Sequence, residues 1–357
     1  MISFYCLKEI AKCFKYKISI KETDLGRGVL LYKKTKEPKK NIFKILFELS
    51  RLSSYWHAFP DTYFRFGMFL KDYSNKKQIL SFIPQGAYNR FAMDKDSHYH
   101  ILIDDKIIFH DIMTHYGLPV PVRYFTFRGG LFRNGAVIIS DSEVDSIIQS
   151  IDDERIFVKR FTGGAASGVS IFTKKEDGIY IDNEGDIVSA AMIRKKYINQ
   201  DFFFEKQIIQ EPVLSQFNPD TVNTIRVLTY KDKVISAAVR FGGKGSFVDN
   251  TAKGGVAVSL DIKTGKLQSY GMREYDLTHY LEHPSSHLKF ENTLVTQWPE
   301  VKALVEKTLK LLPYYNSVGF DVATTNDGPV IIEINTGAGI YLSQMGKNIG
   351  LANYFLR

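Results

Sequence analysis

The run from Ser317 to Gly339, SVGFDVATTNDGPVIIEINTGAG, leaves the chain little conformational choice. Two apolar stretches flank Asn326-Asp327-Gly328, residues that tolerate a tight turn, so two antiparallel strands are expected. Side chains alternate across a strand, which puts Val318, Phe320 and Val322 on one face and Gly319, Asp321 and Ala323 on the other. On the return strand the same alternation sets Val330, Ile332 and Ile334 against Ile331, Glu333 and Asn335. A turn centred near Asp327 brings Asp321 across from Glu333, with Asn335 beside them. Rigidly held carboxylate and amide oxygens are what a hard cation such as Mg2+ takes as ligands. Asp321, Glu333 and Asn335 are therefore candidate metal ligands. An amphipathic hairpin with its polar face in water is the plainer alternative. Three oxygens in register, followed by the Thr336-Gly-Ala-Gly339 turn, favour the metal site.

With 357 residues, 44% hydrophobic and 24% charged, the chain is an ordinary globular protein long enough for two or three cores. No apolar run approaches the roughly 20 residues of a membrane-spanning helix. The opening MISFYCLKEIAKC carries charges within its apolar run and no small-residue cleavage site follows, so it does not read as a secretory signal. Cys6 and Cys13 are the only cysteines, which argues against a disulfide framework and for the cytosol. Residues 1–95 hold 19 Lys and Arg against 8 Asp and Glu, while the remainder is slightly acidic. A basic region is most often a solvated face. Its functional reading is attraction to a phosphate-bearing substrate or an anionic membrane surface. A nucleic-acid role would rest on charge alone, without a recognition helix or an aromatic-studded sheet, and is not expected.

Residues 1–17 read as a helix, Leu31–Lys40 ends in a basic loop broken by Pro38, and Asn41 caps a second helix. In that helix Phe43, Leu46, Phe47, Leu49 and Leu52 are expected to form the buried stripe. His98 and His100 are spaced to share a strand face, but lack a third zinc ligand. A helix follows, with Asp104 as candidate N-cap, Gly117 past its end and Pro119 and Pro121 beyond. Ile156–Lys159 is a strand, Gly163–Gly168 a loop of small residues, and the chain then returns in a second strand. Backbone N–H groups in such a loop can donate to phosphate oxygens, with Lys159 adding a point charge. Neither a Walker A loop nor a dinucleotide fingerprint is present. Phe202–Glu205 is an apolar strand leading into a polar linker. Arg226 and Arg240 sit on the two strands of a hairpin turning at Lys231–Lys233, where both guanidinium groups could reach one anion. Gly242–Gly255 is a further glycine-rich loop. His283 and His287 read as surface histidines, and residues 299–312 as an amphipathic helix.

In this order, over about residues 100–345, these elements resemble the ATP-grasp superfamily, and within it the sugar-transfer-associated and teichuronopeptide-biosynthesis branches. The motifs that carry the resemblance include Val222-Asn-Thr-Ile-Arg226, Val248-Asp-Asn250 with Gly254-Gly255, Gly319-Phe-Asp321 and Ile332-Glu-Ile-Asn335. The resemblance implies an α+β fold in which two α+β subdomains, residues 96–206 and 207–357, clamp ATP between antiparallel sheets. Residues 1–95 would form a basic N-terminal domain ahead of them, carrying acceptor specificity. It further implies that Lys106 and Lys159 contact the phosphates, and that Gly163, Gly164, Ser167 and Gly168 belong to a lid. Glu205, Lys206 and Ile208 would form the hinge that reads adenine, with Glu211 at the ribose. Asp321, Glu333 and Asn335 would bind Mg2+, and Arg226 and Arg240 would stabilise the transferring phosphoryl group. Asn250, Gly254 and Gly255 are candidate substrate contacts. Arg160-Phe161 stands where many relatives have a proline after the lysine.

The activity implied is an ATP-dependent carboxylate–amine ligase passing through an acylphosphate and releasing ADP and phosphate. It would join an amino acid to a sugar acid or amino sugar, nucleotide-linked or lipid-linked, in cell-surface polysaccharide or capsule assembly. The protein would work in the cytoplasm, with peripheral contact to the anionic inner membrane face. A sugar kinase on the same fold is the alternative and needs a general base, for which Asp249 is the candidate. A non-catalytic nucleotide-binding protein would be expected to have lost ligands that this chain retains.

Overall fold

A computed structural model describes residues 8–9, 15, 19–73, 76–92, 97–161, 169–175, 178–197, 200–246, 249, 254–346 and 350–356. Cys6, Cys13, most of the expected helix over 1–17, the lid residues Gly163, Gly164, Ser167 and Gly168, and Asn250 lie outside them. Two antiparallel sheets organise the rest.

The first sheet contains β1 (Arg123–Arg128), β2 (Leu131–Asn134), β3 (Val137–Ile139), β4 (Arg155–Arg160), β5 (Val169–Lys174), β6 (Ile179–Ile181), β7 (Ile187–Ser189) and β8 (Phe202–Lys206). Their spatial order is β3-β2-β1-β8-β4-β5-β6-β7. Phe125, Phe127, Ile156, Val158, Phe202 and Phe204 pack on one face with the helices Asp141–Ser150 and Ala190–Tyr197. Phe125 and Phe204 stack at 4.2 Å. Alternation sends Lys159, Phe203 and Glu205 to the other face.

The second sheet contains β9 (Thr224–Tyr230), β10 (Lys233–Phe241), β11 (Val256–Leu260), β12 (Leu267–Met272), β13 (Gly319–Thr325) and β14 (Gly328–Asn335), in the order β12-β11-β10-β9-β13-β14. Helix Trp298–Leu311 covers one face through Val301, Leu304, Val305 and Leu309. Ile103, Phe109, Met113 and Leu118 enter this same core. The segment around helix Lys106–His115, expected in the first subdomain, thus packs with the second sheet. The N-cap of this helix is Asp105, whose Oδ1 accepts from the N–H groups of Ile107 and Ile108, rather than Asp104.

The N-terminal helices lie against the opposite face. Tyr63, Met68, Phe69, Phe82, Ile83 and Tyr88 share a core with Leu228 and Ile235 of the second sheet and with Leu351 and Phe355 near the C-terminal end. Helix Ile42–Trp56 is capped by Asn41 as expected, but Ile45, Leu52, Ser53 and Trp56 form its buried face. Phe43 and Phe47 are 78% and 67% exposed, and Leu46 is 45% exposed. The helix is apolar on two sides, and spacing alone does not say which side meets the core. Residues Ser97–His100 form a 3-10 turn, not a strand.

His283, expected at the surface, is fully buried. Its Nε2 lies 2.9 Å from the Gly242 carbonyl, and its Nδ1 accepts from the Ser286 N–H. His287 is exposed beside Glu282. In the opening hairpin Asp321 pairs with Glu333, but Val322 pairs with Ile331, leaving Ile332 as a bulge. The bulge moves Ile331 to the core face, alongside Ile334, and takes Ile332 off it.

Arg65 ties the helical layer to the second sheet. Its guanidinium donates to Asp61, Asp24 and Glu274 and sits 4.3 Å from the Tyr275 ring and 4.6 Å from the Tyr341 ring. Arg65→Met leaves the buried Asp61 carboxylate and the half-buried Asp24 and Glu274 without their cation, and should cost about 3–5 kcal/mol, read from the urea midpoint. Burial lowers the pKa of His283, aided by Arg273, against the pull of its bond to Gly242. The unfolded chain therefore binds a proton, below about pH 6.5, that the folded chain resists, so this contribution is present above that pH and lost as pH falls. The melting temperature should drop from pH 7.5 to 5.5 by an increment that His283→Gln removes.

Candidate functional site

Register builds the site. Ala238 on β10, Arg226 on β9, Asp321 on β13 and Glu333 on β14 are successive Cα partners, forming one row across four strands. Asn335, two residues past Glu333, pairs with Gly319. Neighbours in such a row lie about 5 Å apart at Cβ, within reach of long polar side chains.

Arg226 grips Asp321 with two bonds, Nε to Oδ1 at 2.5 Å and the terminal nitrogen to Oδ2 at 2.9 Å. Arg240, diagonal to it on β10, approaches the same Oδ2 at 3.1 Å and Asp249 at 3.3 Å. The anion that both arginines reach is thus the Asp321 carboxylate. Burial opposes ionisation of Asp321, but Arg226 and Arg240 outweigh it and hold its carboxyl well below the usual carboxylate range. Lys106 Nζ bonds Glu333 Oε2 at 2.9 Å. The Asn335 amide nitrogen lies 3.1 Å from Glu333 Oε1 and 3.5 Å from Asp321 Oδ2. Lys106, Arg226 and Arg240 therefore face Asp321, Glu333 and Asp249 in a closed ionic cluster.

Two residues that lie in the quoted motifs, without a role expected for them, help to build the site. Thr224, two positions before Arg226 and on the same face, accepts from Arg240 Nε at 3.0 Å and donates to Asp249. The alternation that selected Arg226 also selects Thr224. Gly319 is required by close approach: a Cβ there would stand 2.5 Å from the Ala338 Cβ and 3.3 Å from Arg226 Cδ. The glycine lets Ala338 pack directly on β13 and leaves room for the Arg226 stem beside it.

A second group lies on the first sheet. Lys159 bonds Glu205 on the face turned away from the Phe204 core. The two sheets meet through Lys106, whose N–H donates to the Phe161 carbonyl at 3.4 Å while its Nζ serves Glu333. Lys206 ends β8 in contact with Asp153 at 3.8 Å, and Ile208 is half-buried in the following link. Glu211, expected at the ribose, is buried. Its carboxylate caps helix Pro212–Ser215 through the N–H groups of Val213 and Leu214 and accepts from Thr324. Glu211 thus already caps this helix, with one bond accepted at Oε2 and two at Oε1. Gly254 has φ +87 and its carbonyl would lie 2.9 Å from a Cβ at Gly243, so the two glycine-rich strands of the loop touch backbone to backbone. Asp249 is buried, which raises its pKa, against Arg240 and the Thr224 bonds.

The donor set fits a hard divalent cation. Asp321 and Glu333 offer carboxylate oxygens from paired backbone positions, and the Asn335 amide lies beside both, its nitrogen turned to them and its oxygen belonging to the same group. Three cations beside them suit a polyphosphate. Gly319→Ala should displace Arg226 and cost about 1–3 kcal/mol, with weakened Mg-nucleotide binding by calorimetry.

Among solved structures, a D-alanine–D-alanine ligase from Bacillus anthracis matches with 13% identity and TM-score 0.39, covering 71% of this chain and 65% of that one. The ATP-grasp ligase PsnB, complexed with a phosphomimetic variant of its minimal precursor, Mg and ADP, gives 12% and 0.39, covering 71% and 58%. The VanG D-Ala:D-Ser ligase from Enterococcus faecalis gives 14% and 0.44, covering 76% and 66%. The chain thus spans less than two thirds of the length of the first of these matches. No curated protein matches it. The sequence pattern described as sugar-transfer associated ATP-grasp matches residues 88–356. The chain belongs to the sugar-transfer associated ATP-grasp family.

Proposed function

We propose that this protein is an ATP-dependent carboxylate–amine ligase using Mg2+. It would join an amino acid to a sugar acid or amino sugar, nucleotide-linked or lipid-linked, in cell-surface polysaccharide or capsule assembly, acting from the cytoplasm. The observation that carries this reading is the row Arg226–Asp321–Glu333, with Arg240 and Lys106 closing around it. Family membership supports an ATP-dependent ligase in general, and the acid and amine are inferred from it.

Asp321, Glu333 and Asn335 would hold Mg2+, which would neutralise phosphate charge and draw ATP into position. Lys106, Arg226 and Arg240, now bound to carboxylates, would turn to the phosphate oxygens when the nucleotide arrives. Arg226 and Arg240 would stabilise charge on the γ-phosphoryl group as the acceptor carboxylate attacks it in line and the bond to the bridging oxygen breaks, releasing ADP. Lys159, released from Glu205, would meet the phosphates from the first sheet. The resulting acylphosphate would be attacked by the amine, expelling phosphate and forming the amide. Ile208 and Lys206 would place the adenine at the link between the sheets, and Gly254-Gly255 would border the acceptor. The N-terminal helices pack on the same face of the second sheet as the charged row, which suits residues 1–95 to acceptor selection.

The kinase alternative needs a free base. Asp249 is bonded to Thr224 and paired with Arg240, which weighs against it.

Incubation with Mg·ATP, pooled amino acids, sugar acids and hydroxylamine should yield ADP and a hydroxamate whose mass identifies the acid. A phosphorylated sugar without hydroxamate would overturn the ligase reading. Glu333→Gln should lower ADP release by about 10²-fold or more with the melting curve preserved.

A further inference from the structure

Among the described residues, helix Ile42–Trp56 leaves an apolar face exposed. Phe43 and Phe47 are 78% and 67% exposed, Ile42 and Leu46 are 52% and 45%, and Tyr55 is 48%. Phe43, Phe47, Arg51 and Tyr55 follow at four-residue spacing, so they line one edge of the helix, with Ile42 and Leu46 alongside. Two adjacent turns of exposed Phe, Ile and Leu are unusual in water, and mark a surface that meets another apolar phase.

Charge identifies that phase. Lys44 and Arg51 on the helix, and Lys33, Lys34 and Lys36 in the segment leading to it, are exposed, with Glu37 the one exposed acid between residues 33 and 51. The other acid of this stretch, Glu48, is bonded to Lys40 and Tyr63 on the buried side. A second copy of the chain docked on this face would bring like charges together. An anionic bilayer instead accepts the Phe and Leu side chains at its acyl boundary while its headgroups meet the lysines. Lysine and arginine stems can lie along the apolar surface with their charges in the headgroup layer, and a tyrosine ring suits the same depth.

We propose that the Ile42–Trp56 helix is a monotopic membrane-docking element. It lies in the interface plane with Phe43 and Phe47 inserted and Lys36 and Lys44 on anionic headgroups. No helix among the described residues is long and apolar enough to cross a membrane, and this mode of attachment needs none. The proposal stands apart from the catalytic reading, since none of these residues belongs to the charged row.

The test is flotation of the full chain with phosphatidylcholine vesicles and with vesicles containing about one third phosphatidylglycerol. The chain should float with the anionic vesicles, and binding should weaken as salt rises. Phe43→Ser/Phe47→Ser should lower the partition coefficient about tenfold or more, and Lys36→Glu/Lys44→Glu should do so on anionic vesicles only. Because the side chains are exposed, both variants should melt like the parent. A direct readout comes from Phe43→Trp. The native Trp56 and Trp298 are both buried, so a blue shift of emission on vesicle addition would report insertion of position 43. Flotation unchanged in Phe43→Ser/Phe47→Ser, or absent at low salt, would overturn the proposal. So would a concentration-dependent dimer that this double variant dissolves, or vesicle binding that appears only after deletion of residues 1–18, each of which assigns the face to another occupant.

Discussion

A buried carboxylate bound by two guanidinium groups is the constraint around which the second sheet is arranged. Asp321 is 3% exposed, a position where an uncompensated charge would be prohibitive. Arg226 supplies the fork and Arg240 the second contact, which demands that β10, β9 and β13 lie side by side with Arg226 level with Asp321. Any one-residue slip would turn one partner to the core face. Pairing and register are thus enforced by electrostatics as well as by the apolar layer beneath. Gly319 lies beside this constraint, because a Cβ there would collide with Ala338 and crowd the Arg226 stem.

The cluster is balanced within itself, and that links structure to chemistry. Each cation suited to phosphate is held by a carboxylate, two of which are suited to a metal ion. A metal or a nucleotide arriving alone would have to break pairs without replacing both halves. Arriving together, they satisfy both sets. On the function proposed above, the cluster would be the resting form of a site for a metal–polyphosphate pair, and Thr224 and Asp249 hold Arg240 in its present alignment. On the other side of the link, Lys159 and Glu205 repeat the arrangement on a smaller scale.

Much of this was legible in the chain itself. Period-two alternation placed Asp321 opposite Glu333 and put Arg226 and Arg240 on neighbouring strands. What misled was local geometry with no composition signal. The bulge at Ile332 exchanged the faces of Ile331 and Ile332, because one inserted residue shifts the alternation by one. The cap that Glu211 provides was also not read, although a proline after it starts a short helix whose N–H groups need one. His283 looked exposed because it precedes a proline and two serines. A carbonyl at Gly242, 41 residues earlier in the chain, gives it a buried partner.

The amino-acid order by itself determined the strands, the hairpins and the set of charged residues able to serve a metal and a phosphate, since these follow from alternation and turn chemistry acting over a few residues. Tertiary structure alone decided which charges pair, which side of the Ile42–Trp56 helix is buried, and that helix Lys106–His115 joins the second sheet to bring Lys106 onto Glu333. These depend on contacts between residues far apart in sequence, 227 positions in the case of Lys106 and Glu333, where no local pattern carries the information.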